Sequence, residues 1–177
     1  MNVDILKVGK LKANCYILYI NDKCLIIDPG DDEDFILSRL REIGTTPIGV
    51  IVTHNHEDHA KYAKSIADMF SVKVYSFSNL FEQEHYLNPF KFRVIYTPGH
   101  TSDSITLYFR DYNVMFTGDF LFKDDIGRTD LKTGSFKDMI ESIKKISKYS
   151  NDIIVYPGHG KKTTLGHEKL NNPNFRI

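Results

Sequence analysis

The chain has 177 residues, 41% hydrophobic and 26% charged, with 23 Lys and Arg balanced by 23 Asp and Glu. That length suits a single domain able to bury about 70% of the surface its unfolded chain exposes. The balanced charge excludes a global field for nucleic acid or an anionic membrane, and the early apolar run 15–20 is too short to span a bilayer or to read as a secretory signal.

In chain order, residues 3–8 and 14–20 read as strands, and Asn21-Asp22-Lys23 as the turn into a third strand over 24–28, closed by Pro29-Gly30. Cys15 and Cys24 have no CxxC spacing. They read as small buried hydrophobes of a reducing, cytoplasmic compartment, neither metal ligands nor nucleophiles. Asp31 and Asp32 are predicted as the N-cap and acidic start of a helix, a solvated run and no binding site. Phe35, Ile36, Leu40 and Ile43 would face inward on that helix, and Gly44 would end it. A strand over 48–53 follows, then a loop, then a helix from about His59 to Phe70 with Ala63, Ile66, Ala67 and Phe70 inward.

Residues 72–77 and 92–96 read as strands separated by an aromatic-rich, poorly patterned stretch, and 104–109 with 113–116 as a hairpin across Arg110-Asp111-Tyr112. Ser135 and Asp138 resemble a capping box opening a helix with Phe136, Met139, Ile140, Ile143 and Ile146 on one face. Residues 152–156 form a last predicted strand, with a short helix after Thr164. The chain shows no linker, repeat or low-complexity tract.

The chemistry concentrates in His54-Asn55-His56-Glu57-Asp58-His59, directly after an apolar strand. A helix would throw His54 and His56 to nearly opposite sides, whereas an extended segment projects positions two apart the same way. The spacing therefore predicts loop over 54–58. Neutral imidazole and carboxylate are ligands suited to zinc, iron or manganese. Three more strand ends repeat the pattern. The strand near 92–97 runs through Pro98-Gly99 into His100, that near 113–117 through Gly118 into Asp119, and that near 152–156 through Pro157-Gly158 into His159. Loops at one edge of layered sheets converge on one site. His85 and His167 lack this context and read as surface or cap residues.

With Asn14-Cys15-Tyr16, Ile27-Asp28-Pro29-Gly30, Thr97-Pro98-Gly99-His100-Thr101, Phe116-Thr117-Gly118-Asp119, Ile126-Gly127-Arg128-Thr129-Asp130 and Tyr156-Pro157-Gly158-His159-Gly160, the chain resembles the metallo-β-lactamase superfamily, and within it the glyoxalase II-like hydrolases. The resemblance implies an α/β fold, a four-layer αββα sandwich of two mixed sheets packed face to face with helices outside. It implies metals at one sheet edge: His54, His56 and His100 on one, Asp58, His59 and His159 on the other, and Asp119 bridging. Two Zn(2+) ions are implied, with Fe or Mn as alternatives. Three departures bear on substrate. Residues 1–177 are expected as one domain without the C-terminal helical domain of glyoxalase II proper. The stretch 77–92 lacks the glycine-turn hairpin common in relatives. Ala60-Lys61-Tyr62 stands where small residues and glycines are common.

The expected function is metal-dependent hydrolysis of a small-molecule thioester, an S-acyl small thiol, by a hydroxide shared between the metals, with no nucleic-acid or membrane partner. Asp58 would both bind metal and orient the hydroxide. Asp28 is expected either to accept a ligand histidine N–H or to serve as a surface or cap residue. Arg128 would hold a substrate carboxylate or form a loop salt bridge to Asp125 or Asp130. The alternative is a mononuclear Fe(II) persulfide dioxygenase using His54, His100 and Asp119. A lactonase-type hydrolase and a non-catalytic metal-binding module rank below both.

Overall fold

A computed structural model describes residues 1–176. Strands β1 (Asn2–Val8), β2 (Ala13–Ile20), β3 (Lys23–Ile27), β4 (Thr46–Ile51) and β5 (Val74–Tyr75) form one sheet in that order. It is antiparallel through β3 and parallel from β3 to β5. The second sheet holds β6 (Glu84–Leu87), β7 (Phe90–Tyr96), β8 (Ile105–Phe109), β9 (Val114–Gly118), β12 (Ile154–Pro157) and β13 (Thr163–Thr164), lying side by side in that order. Only its β9–β12 pairing is parallel. A small ladder of β10 (Leu121–Phe122) and β11 (Asp125–Ile126) follows β9 in the chain.

Strand periodicity explains the layering. Along β2, Tyr16 and Leu18 point into a cluster with Phe92, Phe109 and Phe116 of the second sheet. Their neighbours Cys15 and Ile17 point the other way, onto Ile36 and Leu40 of helix α1 (Glu33–Ile43) and Ala63, Ile66 and Ala67 of α3 (Ala63–Met69). The second sheet repeats the arrangement. Ile95, Met115 and Val155 pack on Met139, Ile143 and Ile146 of α4 (Phe136–Ile146) and on Leu165 of α5 (Leu165–Asn171). Successive side chains of a strand face opposite sides, so three apolar interfaces separate four layers: helices, sheet, sheet, helices. Each fully buried large side chain contributes about 1.5–3 kcal/mol.

Several elements differ from the sequence reading, each for a local reason. Asp32 does occupy the N-cap position of α1, but in a left-handed conformation without capping; its carboxylate instead accepts the Gly9 amide at 2.8 Å. Phe35 is 50% exposed, so the inward stripe of α1 is Ile36 and Leu40. The helix read from His59 begins at Glu57 and is broken in two, α2 (Glu57–Ala60) and α3. The break falls where the Tyr62 amide donates to Pro29 O at 3.0 Å and so leaves the helical ladder. Asp58 therefore sits in a first helical turn and not in loop. The strand read over 72–77 contracts to Val74–Tyr75. The unpatterned stretch before residue 92 does contain a hairpin: β6 pairs with β7 across Asn88-Pro89. Ser135 caps α4 by accepting the Asp138 amide at 3.2 Å; its own amide goes to Gly99 O at 2.8 Å, so the reciprocal half of the box is absent. Phe136 is exposed. Among the described residues no helix is long and apolar enough to cross a membrane.

Candidate metal centre

His54 follows β4, His100 follows β7, Asp119 follows β9 and His159 follows β12, while His56, Asp58 and His59 lie at the start of α2. The sheet edges bring all seven side chains together in two groups of three with Asp119 between them. In the first group His56 Nδ1 lies 3.1 Å from His54 Nε2 and 3.0 Å from His100 Nε2. In the second His159 Nε2 lies 3.2 Å from Asp58 Oδ2 and 3.3 Å from His59 Nε2. Asp119 faces both: its Oδ2 is 3.7 Å from His100 Nε2 and 3.5 Å from His159 Nε2, and its Oδ1 is 3.4 Å from His59 Nε2.

The far sides of the rings assign their protons. His100 Nδ1 donates to Arg128 O at 2.8 Å and His59 Nδ1 to Asp28 Oδ2 at 3.0 Å. The Thr53 hydroxyl donates to Asp28 Oδ2 at 2.6 Å, so its oxygen accepts from His54 Nδ1 at 3.1 Å. His54 and His100 thus turn Nε2 lone pairs toward His56 Nδ1. At most one proton can lie among these three nitrogens, so at least two lone pairs meet at one point. Two nitrogens bound 2.0–2.1 Å from a common tetrahedral ion sit about 3.3 Å apart, close to the separations found. Asp119 Oδ1 is buried and makes no well-formed hydrogen bond. The donor set fits a divalent metal ion in each group.

Electrostatics agree. Burial, with the neighbouring histidines adding, pushes the pKa of His54 well below its ordinary value and lowers that of His56, keeping both neutral as ligands must be. The hydrogen bond from His159 draws Asp58 down to about 2. His59 is the exception. Burial lowers it, but the Asp119 and Asp28 carboxylates outweigh that and raise it to about 10, so in the metal-free chain a proton occupies the place of a cation.

Two glycines permit this packing. Gly118 has φ +52°, and a Cβ there would overlap Thr53 Oγ1; a Cβ on Gly158 would overlap Asp119 Oδ1. Asp28 and Thr53 also group with His54 and His59 on the far side of the rings, as hydrogen-bonding partners. Thr53 escaped the sequence reading because a strand-end threonine has no distinctive spacing.

Arg128 does not point a free guanidinium at the cluster. Its Nε and Nη2 donate to the two oxygens of Asp130 at 2.7 and 2.8 Å, and only its carbonyl reaches the site, through His100. His85 stacks on Phe92 and bonds Phe81 O at 2.9 Å. His167 pairs with Asp124 at 2.5 Å beside the buried Glu168, whose oxygens are taken by Thr163, Asn172 and the Asp124 amide. That group is complete without an ion. A recess of about 380 Å³ is lined by Lys10, Leu11, Lys61 and, of the second donor group, Asp58. A larger one, about 750 Å³, reaches only His54 and Asn55 and runs away along α3 toward Phe77.

Known proteins carry the same arrangement of chain. The family model described as "Metallo-beta-lactamase superfamily" matches residues 8–87 and 80–159. Hydroxyacylglutathione hydrolase GloC of Haemophilus influenzae is 31% identical over 98% of this chain and 97% of its own. Among solved structures, BLEG-1 B3 metallo-beta-lactamase superposes with TM-score 0.93 at 30% identity, covering 99% of this chain and all of that one (100%). ETHE1 from Myxococcus xanthus gives 0.90 at 26% over 98% and 84% of the two chains, and TTHA1623 in a di-iron-bound form 0.88 at 26% over 96% and 98%. The chain belongs to the metallo-beta-lactamase superfamily.

Proposed function

We propose that this chain is a binuclear metal-dependent thioesterase that hydrolyses an S-acyl small thiol. The observation that carries the reading is Asp119, a carboxylate lying between two complete three-donor groups, whose buried Oδ1 makes no well-formed hydrogen bond and has His59 Nε2 at 3.4 Å. His54, His56 and His100 would hold one ion, Asp58, His59 and His159 the other, with Asp119 shared. Two such ions, when bound, lower the pKa of a shared water toward about 7 and take up oxyanion charge. Zinc suits the imidazole and carboxylate donors; iron is the alternative, in view of the di-iron neighbour.

The chain's own residues supply the rest. Asp58, ionised above a pKa of about 2, accepts a hydrogen bond from the attacking water and orients it. Asp28, Thr53 and the Arg128 carbonyl keep three imidazoles turned toward the centre. Cys15 and Cys24 are fully buried, with thiol pKa values pushed up by burial, so neither serves as a nucleophile and water attacks directly. A thiolate leaves readily, so no general acid is needed. In this reading residues 1–177 act as one catalytic domain in the cytoplasm on a small molecule, with the recess beside Asp58 receiving part of it. The relative named as a hydroxyacylglutathione hydrolase supports a hydroxyacyl thioester of glutathione as the first substrate to try.

A second reading, an iron persulfide dioxygenase on His54, His100 and Asp119, is favoured by the 3.7 Å approach of His100 and Asp119 beside His54. Metal analysis of protein purified without chelators, paired with thiol release from the acyl thioester, decides between them. Two ions per chain and thiol release are expected. One iron per chain, with oxygen consumed on a persulfide, would overturn the thioesterase.

A further inference from the structure

His159 is the only member of the Asp58, His59 and His159 group that comes from the second sheet, yet the first sheet holds its loop. Asn14 of β2, 1% exposed, donates from Nδ2 to Pro157 O at 2.8 Å and Gly160 O at 3.3 Å, and from its backbone to Gly158 O at 2.7 Å. The Tyr16 hydroxyl donates to the same Pro157 O at 2.5 Å, and Lys7 Nζ of β1 to Gly160 O at 2.8 Å. The side-chain bonds join residues 141–153 positions apart and span the two sheets. Three carbonyls around His159 are therefore gripped from β1 and β2, while Gly158 N donates to Gly118 O at 2.7 Å on the other side. None of these bonds touches His54, His56 or His100; the outer partners of His54 and His100 are Thr53 and Arg128.

We propose that Asn14, assisted by Tyr16 and Lys7, is a positioning residue that sets the affinity of the Asp58, His59 and His159 site for its ion and leaves the other site untouched. The inference rests on reading the two groups as metal sites. Its physical basis is tolerance. A ligand atom must lie within about 0.2 Å of its ideal distance to hold a metal well. The five-residue loop 158–162 between β12 and β13 has no helix or long ladder of its own to fix it that closely. The clamp does so from outside the loop, and makes double occupancy depend on correct docking of the two sheets.

The test is stepwise titration of metal-free protein with Co(II), followed by the visible spectrum and elemental analysis, for the wild type, Asn14→Ala and Asn14→Leu, with the melting temperature of each metal-free form. Both variants should bind the ion of the Asp58, His59 and His159 group roughly 10–100-fold more weakly and that of the His54, His56 and His100 group within about threefold of wild type. Parallel weakening of both ions, or no change in either, overturns the inference. If neither Asn14 variant folds, Tyr16→Phe and Lys7→Ala each remove one bond; both should weaken only the ion of the Asp58, His59 and His159 group, and equal or absent effects overturn the inference in the same way. A wild type that takes up a single ion overturns the binuclear reading and this inference with it. A wild type with two ions and a non-selective variant overturns this inference only.

Discussion

Asp28 Oδ2 lies 3.0 Å from His59 Nδ1, with both side chains sealed from solvent. The same oxygen accepts the Thr53 hydroxyl at 2.6 Å, and Asp28 Oδ1 accepts the Thr53 amide at 2.7 Å. Because Thr53 commits its proton to Asp28, its oxygen is free to accept from His54 Nδ1. One buried carboxylate thus sets the orientation of two histidines that face different donor groups.

Asp28→Asn should weaken metal binding at both groups by roughly 10–100-fold, because the amide cannot accept from both Thr53 and His59 on every side. It should also cost about 1–3 kcal/mol of stability, since a buried donor is left unmet. Competition against a chromogenic chelator and urea denaturation measure the two effects. Unchanged affinity would reduce Asp28 to a brace of the strand end.

Metal-free protein should show a distinctive pH response. His59 has a folded pKa of about 10 against an ordinary value of 6.5, raised by Asp119 and Asp28 against the pull of burial. A raised pKa contributes stability that is fully present below about 6.5 and lost as pH climbs through about 10. The melting temperature of metal-free wild type should therefore fall more steeply over that window than that of His59→Gln. Equal slopes would show that His59 carries no such proton. Metal at this group must displace the proton, so its affinity should rise with pH over the same window.

Much of this was legible before the fold was known, because strand-end ligands leave a sequence trace. Apolar runs ending in Gly-His or Gly-Asp marked where His100, Asp119 and His159 would emerge, and Asp119 does lie against both histidines. Tertiary effects hid the rest. The half-buried edge strand β6 alternates too weakly to stand out, and its turn to β7 is Asn88-Pro89, with no glycine. The break between α2 and α3 depends on the Pro29 carbonyl, 33 positions from Tyr62 in the chain by numbering, and no local pattern reports it. Phe35 and Phe136 sit at helical spacing with inward residues yet face solvent.

Gly118→Ala tests the packing beneath Asp119. A methyl group would collide with Thr53 Oγ1 at a position whose φ of +52° already disfavours side chains. The variant should lose on the order of 1–3 kcal/mol of stability and, through Thr53 and Asp28, bind metal less tightly. Wild-type melting and metal content together would contradict this account.

Cys15→Ala with Cys24→Ala should leave turnover nearly intact. Both thiols are fully buried against α1 and α3, and removing them opens small cavities. The expected result is a lower melting temperature and an unchanged kcat. Loss of activity with fold and metals retained would reveal a thiol function.

Arg128 separates contact with substrate from support of the loop. Its carbonyl accepts from His100 whatever the side chain, so Arg128→Ala should retain its metals. Its guanidinium is held by Asp130 at the surface, with 64% of the arginine side chain exposed, and such a pair adds little to stability, typically 0–1 kcal/mol. We propose that a substrate carboxylate takes Asp130's place on the fork. The contact would be made equally in ground and transition states, so KM on an acidic thioester should rise roughly tenfold in Arg128→Ala with kcat unchanged. Asp130→Asn weakens the competing partner and should lower KM for the same substrate. Kinetics unchanged in both variants would assign the guanidinium to Asp130 alone and turn the search for a carboxylate partner to Lys10 and Lys61, which line the recess beside Asp58.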